Sequence, residues 1–110
     1  MMMARLLRDE GYRVIEASTG KNALKALKKF SERLDLLVTD VAMPDIDGIE
    51  LALRLRSQYP QLPVVFMSGN FGAELIHRDI LGVDSAFLQK PFAPETVAEC
   101  VRSLLDRTRR

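Results

Sequence analysis

The chain has 110 residues, of which 47% are hydrophobic and 28% charged, and 16 basic against 15 acidic residues give a net charge of +1. This size and composition predict one globular domain over residues 1–110 that buries its core without disulfides or structural metal. The near-neutral charge argues against a domain that by itself binds nucleic acid or a membrane surface. The single cysteine, Cys100, excludes an intramolecular disulfide and favours a cytoplasmic location.

Hydrophobic periodicity and turn residues predict helices that alternate with strands along the chain. The predicted helices cover residues 1–10, 19–31, 48–59 and 73–81 and the stretch from Pro94 onward. The predicted strands are 13–17, 36–40, 64–67 and 86–89. Alternation with short connections predicts an α/β fold, a doubly wound parallel sheet with helices on both faces. Such a fold usually begins with a strand, whereas this chain begins with a helix.

Polar residues stand at the ends of three predicted strands: Asp40, Ser68 and Lys90. The carboxyl ends of parallel strands meet at one edge of the sheet, where α/β proteins bind ligands. A carboxylate, a hydroxyl and an ammonium group at that edge would suit an anionic group formed on the carboxylate. Asp40 would be the nucleophile, Ser68 a hydrogen-bond donor and Lys90 the neutralising charge.

Simpler interpretations exist for each of these residues. An aspartate at a strand end often forms a turn or caps a helix, and Asp45 and Asp47 fit that role because aspartate favours turns next to glycine and proline. Ser68 with Gly69 could form only a turn, and Lys90 could be only a surface charge. A zinc site or a histidine triad is disfavoured because His77 is the only histidine. A small α/β enzyme is also disfavoured, since the sequence offers no general base beyond Asp40.

Three segments together resemble the receiver domains of bacterial two-component response regulators: DVAMPDIDGIEL at 40–51, FMSGN at 66–70 and FLQKPFAP at 87–94. The second and third segments are similar to receivers attached to hybrid sensor histidine kinases. The resemblance extends from residue 1 to about residue 106 and implies a flavodoxin-like receiver fold with strand order 2-1-3-4-5.

The resemblance implies a role for each residue at the sheet edge. Asp40 would accept a phosphoryl group from a phosphohistidine on a sensor histidine kinase or a phosphotransfer domain. Ser68 would follow the phosphoryl group, Lys90 would form an ion pair with it, and Phe87 would be the aromatic switch. The bond between Lys90 and Pro91 would be cis. Any catalysis would be limited to self-catalysed aspartyl phosphorylation and dephosphorylation.

The resemblance also implies a Mg²⁺ ion held by Asp40, the backbone carbonyl of Ala42 and an acidic pair that ends the family's first strand. This chain lacks that strand and its acidic pair, and Asp9 and Glu10 lie at the far end of the first helix. The Mg²⁺ site should therefore be weak or empty, since Mg²⁺ usually needs one or two carboxylates besides the phosphate.

The absent strand would be central, which leaves a gap in the sheet between 13–17 and 36–40. We expect an N-terminally incomplete receiver domain, with direct pairing of those two strands as the other possibility. An unpaired edge would favour a homodimer or a strand swap. The leading functional hypothesis is a phosphoacceptor module of a two-component phosphorelay. The alternative is a receiver-like docking or dimerisation module that is not phosphorylated.

Overall fold

A computed structural model of the chain describes residues 2–29, 33–69 and 85–108. These ranges contain four helices and three strands. The elements in chain order are α1 (Met2–Asp9), α2 (Gly20–Lys28), β1 (Leu37–Asp40), α3 (Gly48–Gln58), β2 (Val64–Ser68), β3 (Ser85–Gln89) and α4 (Pro94–Thr108). The predicted helix at 73–81 lies outside the described residues, as does the end of the predicted helix at 19–31 beyond residue 29.

The described strands form one parallel sheet in the order β1-β2-β3. The central strand β2 is buried along its whole length, as its unbroken apolar sequence predicts. Val64 and Phe66 face one side of the sheet and Val65 the other, because side chains alternate along a strand. Their burial contributes roughly 1.5–3 kcal/mol for each side chain. The predicted α/β fold with a parallel sheet is confirmed.

Helices cover both faces of this sheet with apolar side chains. On one face, α3 supplies most of the buried residues and α2 adds half-buried ones; the α3 residues are Ile49, Leu51, Ala52 and Leu55. On the other face, α1 and α4 pack together against Val65; their buried residues are Leu7, Val97, Val101, Leu104 and Leu105. The apolar repeat predicted for the last helix is therefore the core-facing stripe of α4.

The predicted strand at 13–17 is wrong, because residues 12–17 form no regular structure. A strand needs a neighbour, and no described strand pairs with the outer edge of β1. Arg8 of α1 instead donates a hydrogen bond to the carbonyl of Val14 at 3.1 Å and forms an ion pair with Glu16 at 3.2 Å. Ile15 is 45% exposed. Direct pairing of this segment with β1 does not occur either.

Candidate phosphoacceptor site

The three predicted site residues lie at one edge of the sheet. Asp40 ends β1, Ser68 ends β2, and Lys90 directly follows β3. The parallel register places Asp40 beside Met67 and Ser68 beside Gln89. All three strands therefore deliver a polar residue to their shared carboxyl edge, where connecting loops leave room for a ligand.

Asp40 and Lys90 are in direct contact. The Lys90 ammonium Nζ lies 2.6 Å from Asp40 Oδ1, while the two side chains are 49% and 42% exposed. Oδ1 itself is shielded from solvent and has no aligned hydrogen bond, so its contact with Lys90 is an ion pair held by charge. Because Oδ1 is shielded while the side chain as a whole is partly exposed, Oδ2 is the oxygen that an incoming group can reach.

Ser68 joins this pair through the backbone. Its carbonyl accepts the Lys90 N–H at 2.7 Å, which fixes the chain as it leaves β3. Ser68 is 7% exposed, so few solvent molecules compete for its hydroxyl. The peptide bond between Lys90 and Pro91 is cis, as the resemblance implies.

Phe87, the predicted switch residue, lies in β3 next to Phe66 of β2. Its ring is half-buried against the core cluster on the α3 side of the sheet. Phe87 is thus two strand positions before Gln89 and on the strand that delivers Lys90 to the site. This placement allows a change at the site to reach the ring along one strand.

The loop at 41–47 is anchored where it leaves β1 and where it enters α3. The Val41 N–H donates to the Met67 carbonyl at 2.9 Å, and the Val41 carbonyl accepts the Gly48 N–H at 2.7 Å. Asp47 caps α3, since its Oδ1 accepts the Glu50 N–H at 2.7 Å. The helix-capping interpretation of Asp47 is therefore confirmed.

Asp45 has a role that sequence spacing did not reveal. Its two carboxylate oxygens accept the backbone N–H groups of Gly20 at 3.2 Å and Lys21 at 2.8 Å, at the start of α2. These partners are 25 and 24 residues away along the chain, so no local motif could have identified them. The residue interpreted as a local turn former is a long-range cap of a helix.

The hydrogen bond from the Lys21 N–H, with others from backbone N–H groups nearby, lowers the pKa of Asp45 from 3.8 to about 2. A depressed pKa means that the carboxylate stabilises the fold fully above its unfolded pKa and loses this contribution as the pH falls through the folded pKa. The stabilisation from Asp45 should therefore be constant near neutral pH and disappear between about pH 4 and pH 2.

We expect the Asp45→Asn variant to melt below the wild type at pH 6 and to approach it as the pH falls towards 2. The carboxamide cannot gain or lose charge, so only the wild type loses a contribution in this range. Thermal unfolding followed by circular dichroism at a series of pH values measures the difference. A gap between the two melting temperatures that stays constant on acidification would contradict this role.

The donor set at this edge fits Mg²⁺ poorly. The described residues include no group of three histidine, cysteine, aspartate or glutamate side chains that could hold a metal ion. One oxygen of Asp40 is already in contact with Lys90. Among the described residues, a magnesium site would rest on the remaining oxygen and on the carbonyl of Ala42, which supply one carboxylate, the low end of the one or two that Mg²⁺ usually has besides a phosphate.

Two other residues considered in the sequence, Cys100 and His77, add no group to this site among the described residues. Cys100 is half-buried in α4, and burial followed by the charge of Glu99 raises the pKa of its thiol, which disfavours the reactive thiolate. His77 lies outside the described residues. Among the elements that the structure describes, no helix combines the length and the apolar composition needed to cross a bilayer.

Comparison with known proteins identifies the family. A family model described as the response regulator receiver domain matches residues 1–102. The chain belongs to the response regulator receiver domain family. This result confirms the resemblance carried by the three sequence segments and places the domain within two-component signal transduction.

Individual relatives of this receiver domain include parts of sensor kinases. The sensor kinase CckA of Brucella abortus is 33% identical over 104 residues, which cover 94% of this chain and 11% of that protein. The crystal structure of the receiver domain from the hybrid histidine kinase CckA has a TM-score of 0.76 and 38% identity, covering 94% of this chain and 86% of that one. The predicted similarity to receivers of hybrid kinases is thus confirmed.

A second crystal structure gives a similar result for the fold. A response regulator receiver protein from Sinorhizobium medicae has a TM-score of 0.82 and 30% identity, over 96% of this chain and 83% of that one. The flavodoxin-like receiver fold is therefore confirmed. The chain spans less than half the length of the first curated relatives that it matches.

Proposed function

We propose that this receiver domain accepts a phosphoryl group on Asp40 from a phosphohistidine of a sensor histidine kinase or phosphotransfer domain. The contact of Lys90 Nζ with Asp40 Oδ1 at 2.6 Å, at the edge where Ser68 ends β2, is the observation that carries the proposal. Membership of the receiver family supports the same reaction. The relatives give no support to the alternative of a docking module that is not phosphorylated.

The reaction is a phosphoryl transfer between two side chains. Oδ2 of Asp40 forms a bond to phosphorus while the bond from phosphorus to the donor's imidazole nitrogen breaks, and that nitrogen keeps the electron pair. The donor imidazole carries a proton on its other ring nitrogen during the transfer, so the products are an acyl phosphate on Asp40 and a neutral histidine on the donor. Lys90 then faces the added negative charge, and its ammonium group stabilises the phosphoryl oxygens as it did the carboxylate.

Ser68 and Phe87 respond to the new group. The Ser68 hydroxyl donates a hydrogen bond to a phosphoryl oxygen, and the movement of β2 and β3 towards the site draws the Phe87 ring inward. A local change in charge thereby alters the packing on the α3 side of the sheet, where Phe87 contacts the core. This change in packing is the signal that a partner protein recognises.

A cytoplasmic location remains a prediction, supported by the single cysteine.

Intact-mass spectrometry after incubation with acetyl phosphate tests the proposal, with Mg²⁺ in one arm and a chelator in the other. The wild type should gain one phosphoryl group, and Asp40→Asn should gain none. Asp35→Asn is a matched control, because Asp35 also pairs with a basic residue, Arg33 at 2.8 Å, but precedes β1. A gain that persists in Asp40→Asn, or its absence from the wild type in both arms, would overturn the proposal.

A second copy of the chain is a further proposed partner, because its strand could pair with the outer edge of β1 in a homodimer or a strand swap. The Leu37 N–H donates to the carbonyl of Pro63, just before β2, at 3.0 Å, and the Val41 N–H donates to the carbonyl of Met67 in β2 at 2.9 Å. Backbone groups alternate in direction along a strand, so those of Val38 and Asp40 face the outer edge, where no described strand pairs. Light scattering at rising concentration should reveal a dimer; a monomer throughout would exclude both arrangements.

A further inference from the structure

The loop that follows Asp40 is attached to α2 at its middle as well as anchored at its two ends. Asp45 binds the first two N–H groups of α2, with Oδ1 3.2 Å from the Gly20 nitrogen and Oδ2 2.8 Å from the Lys21 nitrogen. Both oxygens of one carboxylate are used, and each bond is assisted by the negative charge. This pair of bonds fixes the position and the orientation of the middle of the loop.

Close packing reinforces the same joint. Gly20 is the buried residue of α2, and a methyl group added there would lie 2.3 Å from Cγ1 of Ile46, which neighbours Asp45. Only a glycine lets the helix and the loop approach so closely. Hydrogen bonds and contact therefore hold the start of α2 against residues 45 and 46.

The ends of this loop hold Asp40 in place. Val41 follows Asp40 directly, and its N–H and carbonyl groups bond to Met67 and Gly48. Only three residues, 42–44, separate the anchored Val41 from Asp45. A displacement of Asp45 would therefore be transmitted to the backbone next to Asp40 within a few residues.

We propose that Asp45 is a positioning residue for phosphoryl transfer to Asp40, because it attaches the loop after Asp40 to the start of α2. The inference rests on the proposed function and adds a residue that makes no contact with the reacting atoms. Reaction rates depend steeply on the placement of the nucleophile, and a shift of about 1 Å can cost as much as a hundredfold in rate.

The chemistry of the joint predicts a graded series of variants. A carboxylate accepts both N–H groups, whereas the carboxamide of Asn accepts one and presents its own N–H₂ to the other. Alanine accepts neither. The order of phosphorylation rates should be wild type, then Asp45→Asn, then Asp45→Ala.

Thr19→Ala is the matched control for a simple loss of helix stability. Thr19 Oγ1 accepts the Asn22 N–H at 3.1 Å and so caps the same end of α2 from within its own chain segment, whereas Asp45 reaches this end from the loop at 41–47. Its removal should cost about 1 kcal/mol, as for an ordinary helix cap. A variant that acts only by weakening α2 would therefore behave like Thr19→Ala.

The experiment measures the rate of phosphoryl uptake from acetyl phosphate by intact-mass spectrometry, at several donor concentrations and well below each melting temperature. For Asp45→Ala we expect the maximal rate to fall about tenfold with the half-saturating donor concentration unchanged, and for Thr19→Ala a change within about twofold. Equal rates for wild type and Asp45→Ala, or an equal loss in Thr19→Ala, would overturn the inference alone. No uptake by the wild type would overturn the proposed function and this inference with it.

Discussion

Replacing Lys90 by methionine should slow phosphoryl uptake by Asp40 about a hundredfold, the usual loss when one group that stabilises a developing charge is removed. Lys90 Nζ is 2.6 Å from Asp40 Oδ1 and is the basic group in contact with that carboxylate among the described residues. Methionine keeps the length and flexibility of the side chain but carries no charge. The negative charge that arrives with the phosphoryl group would then lack the counter-charge that Lys90 supplies.

The fold should tolerate this change, which makes the rate effect interpretable. Both side chains of the ion pair are about half exposed, and exposed pairs stabilise proteins by at most about 1 kcal/mol. Urea unfolding should therefore show nearly unchanged stability for Lys90→Met. Lys25→Met, which removes a charge from the exposed side of α2, is the control for the general effect of charge. Equal rates for Lys90→Met and wild type would contradict the role of Lys90.

Gly48→Ala should destabilise the protein by about 2–4 kcal/mol, since a buried overlap with backbone cannot be relieved by a rotamer change. Gly48 is buried at the start of α3, and a methyl group there would lie 2.0 Å from the Asp40 carbonyl oxygen and 2.9 Å from its carbonyl carbon. The backbone of the phosphoacceptor would have to move away from α3. Phosphoryl uptake should fall together with stability.

Gly69→Ala is the control for Gly48→Ala. Gly69 also follows a strand end at the site, but among the described residues the nearest atom to an added methyl group is Lys90 Cβ at 4.0 Å, an ordinary contact. Its substitution should change the free energy of unfolding by less than about 1 kcal/mol. Urea unfolding of the two variants measures the difference, and a similar small loss in both would show that the approach of Gly48 to Asp40 is unimportant.

The parts of the fold that were predictable depend on strong local patterns. The strand β2 is an apolar run, and α4 repeats its apolar residues at helical spacing after Pro94. Both elements could therefore be predicted from their own sequences, without knowledge of the elements that pack against them. The segment at 13–17 has a similar local pattern, yet it forms no strand, because strand formation depends on a neighbour that local sequence cannot supply. Arg8 instead binds the carbonyl of Val14.

The site also contains residues that the sequence could place and a contact that it could not. Asp40, Ser68 and Lys90 could be placed together because parallel strands bring their carboxyl ends to one edge, and the ion pair of Asp40 with Lys90 follows from that geometry. The contact of Asp45 with Gly20 and Lys21 could not, since it joins a loop to the start of α2, and their relative position is set by the packing of α2 against the sheet. Local spacing near Asp45 indicated only a turn.

The most direct test of Asp40 as the phosphoacceptor is to locate the phosphoryl group on the chain. After incubation with acetyl phosphate, borohydride reduces an acyl phosphate of aspartate to homoserine, and peptide sequencing by mass spectrometry finds the converted position. We expect homoserine at position 40, with Asp45 and Asp47 unchanged. Conversion at another carboxylate, or a phosphoryl group that resists borohydride, would contradict Asp40 as the phosphoacceptor.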